Sequence, residues 1–302
     1  MRRWWTDATA AARLVAERPP FWLPGALVWL VTVGWIPMLV VVARAPTVAD
    51  LTFFGAAIYT SGAWPLNAVV FGVAAFAVIC VGFALAAVGE GALIALSRRR
   101  RLSAAYALRV LGITVVTAAP TLFAALLLVI ALAFIAPTEF TAPDAGAGPV
   151  IRTLSRAAPF LGLIAVTMAI GSAFHAAATR AVIGSGNGLV TALVSSPRRL
   201  ARAGTSGVAQ AASVLAARFV YLALSVVIMA MLWTPIGARL TKDGFDPATS
   251  LLLVGFVAIW LCLVLAGGAL HAWGSVTWTS VLDRGVRWHG PDFVQVEASA
   301  DR

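Results

Sequence analysis

Charge is scarce in this sequence: 11% of its 302 residues are Asp, Glu, Lys or Arg, where a soluble domain carries about a quarter. Lysine is nearly missing, with Lys242 against a background of arginines. Cysteine occurs only at Cys80 and Cys262, without CxxC or Cys/His spacing, which excludes a disulfide framework and a structural zinc site. Both sit in apolar runs and read as small buried hydrophobes. No Walker A loop, GxSxG, HExxH or pair of carboxylates at catalytic spacing is present, so an enzyme of standard type is not expected. A cleavable signal peptide is also missing: the first apolar run, from Phe21, is too long for an h-region and reads as a retained span.

What the chain has instead is apolar length. Hydrophobic residues make up 61% of it and the mean hydropathy is +0.93, more than a single aqueous core can hide. The bilayer must be the solvent, and at about 20 apolar residues per span the length accommodates six. The expected spans are 21–42, 64–96, 110–135, 158–183, 208–234 and 251–278. Pro37 is expected to kink the first. Trp4, Trp5, Trp22, Trp64, Trp233 and Trp278 fall near span ends, where amphipathic rings favour the interface.

Positive charge alternates between sides. Arg2, Arg3, Arg13 and Arg18 precede span one, and Arg98, Arg99, Arg100, Arg101 and Arg109 follow span two. Arg198, Arg199 and Arg202 precede span five, and three more arginines lie in the tail. The intervening loops hold Arg44, Arg152, Arg156, Arg239 and Lys242, offset by acidic residues such as Glu139 and Asp246. The positive-inside rule then places both termini in the cytoplasm. The Arg/Ala/Gly/Val bias is typical of a GC-rich bacterial genome, so the expected location is a bacterial inner membrane. The net charge of +10 is therefore a juxtamembrane collar. Arg98, Arg99, Arg100, Arg101, Arg198, Arg199 and Arg202 are expected to meet anionic headgroups or a partner subunit. Without interleaved aromatics they do not read as a nucleic-acid site.

The expected fold is all-α: a polytopic bundle of six helices in three hairpins (21–283), with an amphipathic cytoplasmic segment before it (1–20) and a short cytoplasmic tail after it (284–302). Thr6 or Asp7 is a candidate N-cap of the first segment. GSGNG, beginning at Gly184, must end span four, and the apolar-then-basic stretch after it is expected to lie in the interface. Late in each even-numbered span a pattern recurs: GEGALIA from Gly89, GSAFHAA from Gly171 and GGALHAW from Gly267. Such small residues let helices approach closely in lipid, so spans two, four and six are expected to meet through these faces. The hairpin layout, with its connectors around Ser97 and Ser195, resembles six-helix bacterial inner-membrane proteins that include the membrane domain of glycerophosphodiester phosphodiesterases. No phosphodiesterase catalytic domain is present, so that activity is not implied.

Four ionisable residues lie inside spans, where they are costly and point to function: Glu90, His175, Arg180 and His271. Glu90 and Arg180 read as a buried pair or as a proton- or cation-binding site. His175 and His271 share one slot of the repeat, and can bond across helices or clasp a haem or chlorophyll. Three functions follow. The first is a non-catalytic scaffold or accessory subunit of a membrane complex, which requires a tight bundle and apolar lateral surfaces. The second is a transporter or lipid-handling permease, which requires all four residues on one cavity. The third is a cofactor-bearing subunit.

Overall fold

A computed structural model describes residues 2–43, 57, 60, 62–63, 65–99, 101–141, 148–242 and 244–283. Arg100, Trp64 and the tail 284–302 lie outside them. The described chain is all-α, with six helical segments long and apolar enough to cross a membrane. An opening helix α1 (Arg2–Glu17) and a 3-10 turn (Pro19–Phe21) lead into the first span. That span consists of α2 (Trp22–Trp29), a π turn (Leu30–Gly34) and α3 (Ile36–Val42). The others are α4 (Leu66–Ser97), α5 (Ala104–Thr141), α6 (Pro149–Ser185), α7 (Leu189–Lys242) and α8 (Pro247–Leu282).

Local chemistry explains most ends. Pro37 lacks the N–H that its helix would use, and the ladder widens into the π turn just before it. Trp260 of α8 donates its indole N–H to the Gly34 carbonyl of that turn at 2.9 Å. As expected, α6 stops in GSGNG, where Gly186 takes the left-handed conformation (φ 68°). Asp246 caps α8, its carboxylate accepting from the Thr249 amide at 2.7 Å. Thr6 and Asp7 do not cap α1, because the helix begins at Arg2. Gly204 (φ 53°, ψ −137°) breaks α7, so the basic stretch after α6 forms its own helix.

Packing is concentrated at the arginine-rich end. One core joins Ala87, Ile94, Ile113, Ala181 and Val182 with Ala192 of the short basic helix. A second joins Ala11 and Val15 of α1 to Leu93, Ala272 and Val276, so α1 is docked on the bundle through its apolar stripe. At the opposite end Glu139, 4% exposed, accepts from Arg152 at 2.9 Å and Arg156 at 2.8 Å, clamping α5 to α6.

Three sequence expectations change. Cys80 and Cys262 are exposed on lateral faces, not buried, which costs little when the surroundings are hydrocarbon. Trp278 is buried, not interfacial. The repeated glycines do not mate with one another. A Cβ on Gly89 would meet the Pro24 carbonyl at 2.9 Å, and one on Gly171 the Thr117 carbonyl at 2.6 Å; Gly267 faces the Trp29 indole. Each glycine thus admits an odd-numbered span. The closest approach is α2 to α8, where a Cβ on Gly268 would lie 2.5 Å from Ala26 Cα. Accordingly the first span packs more heavily on α8 than on its chain neighbour α4.

Candidate functional site

Spans two, four and six do meet, but through polar groups. Glu90 follows Gly89 by one residue, about 100° further round the helix, so it turns from α2 toward the bundle axis. Its Oε1 accepts from Ser275 Oγ at 2.9 Å and from Arg180 at 3.4 Å; its Oε2 lies 2.9 Å from His271 Nε2. Arg180 is fully buried. It donates to the Ser275 carbonyl at 2.5 Å, to Ser275 Oγ at 2.9 Å, to Thr279 Oγ1 at 3.1 Å and to the Ala176 carbonyl at 3.0 Å. A buried guanidinium without such partners would be strongly destabilising.

Arg218 of α7 completes the cluster. Its NH2 donates to His271 Nδ1 at 2.5 Å. Because a guanidinium has no acceptor, that nitrogen must be unprotonated. The imidazole is therefore the neutral Nε2–H tautomer, which donates to Glu90. Both ring nitrogens of His271 are thus engaged by protein partners.

His175 stands apart. Its Nδ1 lies 3.5 Å from Thr117 Oγ1 on α5, and no hydrogen bond joins it to Glu90 among the described residues. Of the four ionisable residues singled out by sequence, three are brought together and the fourth flanks them. Two apolar surface grooves, one around Trp4, Trp5 and Trp273 and one around Trp22, Leu96 and Leu265, are lined by none of the four.

The collar divides into two groups. Arg98 pairs with Asp283 and lies against Gly184, tying the ends of α4, α6 and α8 together; it points inward, not toward headgroups. Arg199 donates to Ser185 Oγ at 3.1 Å. Arg99, Arg101, Arg198 and Arg202 are exposed.

Sequence reasoning misses Arg218, although a lone cation in the run VLAARFVYLAL carries the same signal as Arg180. It also misses Ser275 and Thr279, which look like ordinary helix residues until α8 is set beside α6. Gln210 has no sequence signal either. Fully buried, it accepts from the Trp4 indole at 2.9 Å and donates to the Gly274 carbonyl at 3.1 Å, holding α1, α7 and α8 together. Compared with known proteins, the chain matches no family model, no curated protein and no solved structure.

Proposed function

We propose that this protein is a non-catalytic scaffold or accessory subunit of a larger membrane complex, held in a bacterial inner membrane with both termini in the cytoplasm. The observation that carries the reading is the outer half of α4. From Val69 to Val81 its described side chains are exposed on every side of the helix, including Phe71, Val73, Phe76 and Ile79. Association in lipid rests on close packing, and this stretch of α4 leaves large apolar side chains such as Val73, Phe76 and Val78 more than half exposed among the described residues. A neighbouring transmembrane subunit accounts for a helix with so much exposed apolar surface.

The polar cluster fits the same reading. With both oxygens of Glu90 engaged and Arg180 fully buried, it works as a clamp between α4, α6 and α8. A transport pathway would instead have His175 share a cavity with the other three. On this reading the exposed arginines, Arg101, Arg198 and Arg202 among them, meet anionic headgroups.

The test is a photo-crosslinking residue at Phe76 in native membranes, followed by purification in mild detergent. One discrete protein adduct of constant mass is expected, absent when the probe replaces the buried Leu93. A clean monomer carrying only lipid adducts would overturn the proposal.

A further inference from the structure

Among the described residues Arg218 has no ion-pair partner of its own. Glu90 contributes one negative charge to the cluster, whereas Arg180 and Arg218 contribute two positive ones, and His271 is neutral by its hydrogen bonds. The other well-buried carboxylates are occupied elsewhere, Glu139 by Arg152 and Arg156, and Asp283 by Arg98. Among the described residues no carboxylate lies within ion-pair distance of Arg218. Its Nε is buried and lacks a hydrogen-bond partner, its NH2 reaches only an imidazole, and the residue as a whole is half-buried, so it is not sealed off. An arginine in a membrane domain is expensive unless paired.

The depth of Arg218 identifies the missing partner. A hydrocarbon core of about 30 Å takes about 20 helical residues. Counted from Leu251, the first large apolar residue of α8, that length ends beside His271. Counted from Val69 on α4 it ends beside Glu90, and counted back from Ile236 on α7 it ends beside Arg218. Side-chain exposure gives the same boundary. Large exposed apolar residues run to Val88 on α4, with Leu96 alone beyond, and to Leu265 on α8; on α7 they are dense from Phe219 to Met231, with Val190, Val194 and Val208 isolated beyond Arg218. Glu90, His271 and Arg218 therefore lie in one layer at the hydrocarbon–headgroup boundary, the level of lipid phosphates.

We infer that Arg218 anchors a binding site for a phosphate oxygen, which the phosphodiester of an anionic phospholipid supplies at this depth. The open N–H groups of a planar guanidinium match such oxygens two at a time. This site lies on the inner cluster and is separate from the exposed collar and from the exposed half of α4.

The experiment uses the full-length protein in nanodiscs of mixed phosphatidylglycerol and phosphatidylcholine, with the co-purifying lipids measured by native mass spectrometry. The wild type is expected to retain phosphatidylglycerol over phosphatidylcholine by about five-fold, the size of one charge near an anionic surface. R218Q should lose that preference and R239Q, an exposed arginine at the opposite end of the same helix, should keep it. Should R218Q fail to fold, R218K serves: it keeps the charge but not the fork, and a reduced yet measurable preference is expected. Equal retention of both lipids by the wild type, an R218Q variant that folds and keeps the preference, or an R218K variant that folds without any, each overturns the inference. Inorganic phosphate is titrated in parallel against thermal unfolding. Protection of the wild type by free phosphate with no phosphatidylglycerol preference would overturn the lipid as source. Lipid adducts at Arg218 are read independently of protein adducts at Phe76, so either result can fail alone.

Discussion

Replacing Glu90 by Gln keeps the shape of the clamp and removes its only negative charge. Arg180 is 3.4 Å away, a separation at which a unit pair attracts by about 5 kcal/mol at an effective dielectric of 20. Part of that is offset, because a neutral amide costs less to bury than a carboxylate. The His271 contact also inverts: its Nε2–H faces either an amide oxygen or an amide N–H, and only the former is a hydrogen bond. With Arg180 and Arg218 left without a negative neighbour, a net loss of about 3 kcal/mol is expected, in the range for removing one partner of a buried pair. The assay is reversible unfolding in mixed detergent micelles for wild type, E90Q, R180M and the double variant. The two single losses should not add, with a coupling of about 2 kcal/mol between them. Additive losses, or an E90Q protein within about 0.5 kcal/mol of wild type, would refute the clamp.

Other consequences are sharper in geometry than in energy. G268A forces a methyl against the backbone of Ala26 and should cost about 2 kcal/mol or more, whereas G255A, whose Cβ meets open space, should leave the unfolding midpoint unchanged; equal effects would show that α2 and α8 are not in contact. Q210L removes the acceptor of the Trp4 indole and should loosen α1, seen as protease cleavage within residues 2–17 at concentrations that spare wild type. Asp246 is held below its ordinary carboxylate range by hydrogen bonding to Thr249, whose amide donates to it at 2.7 Å. Its capping contribution is therefore complete above the unfolded-state value, about pH 4, and is lost as pH falls through the lower folded value. The stability difference between wild type and D246A should shrink only in that acidic window; a difference that persists to pH 2 would contradict the cap.

Apolar windows made the six spans legible in the sequence, because no aqueous fold can hide runs such as those before Glu90 and His271. The positions of Glu90, Arg180 and His271 were legible too, since an ionisable group is conspicuous in grease. Their partners were not. Ser275 and Thr279 acquire meaning only from the rotation of α8 against α6, and rotation is set by where Gly267 and Gly268 let Trp29 and Ala26 approach. Small residues announce that something comes close, not which helix it is. Helix length was also understated. The last span is expected to end at 278, yet the helix continues to Leu282, with Thr279 and Val281 buried. Arg98 looked like part of a solvated run, and nothing in the run SRRRR distinguishes the one arginine that turns inward to Asp283.

At Gly204 the backbone adopts a conformation that side chains with a Cβ scarcely tolerate, and a rigid rod becomes two rods with a joint. The short rod is seated in the core by Ala192 and tied to Ser185 by Arg199, so the direction in which it carries Arg198 and Arg202 is set independently of the long rod that carries Arg218.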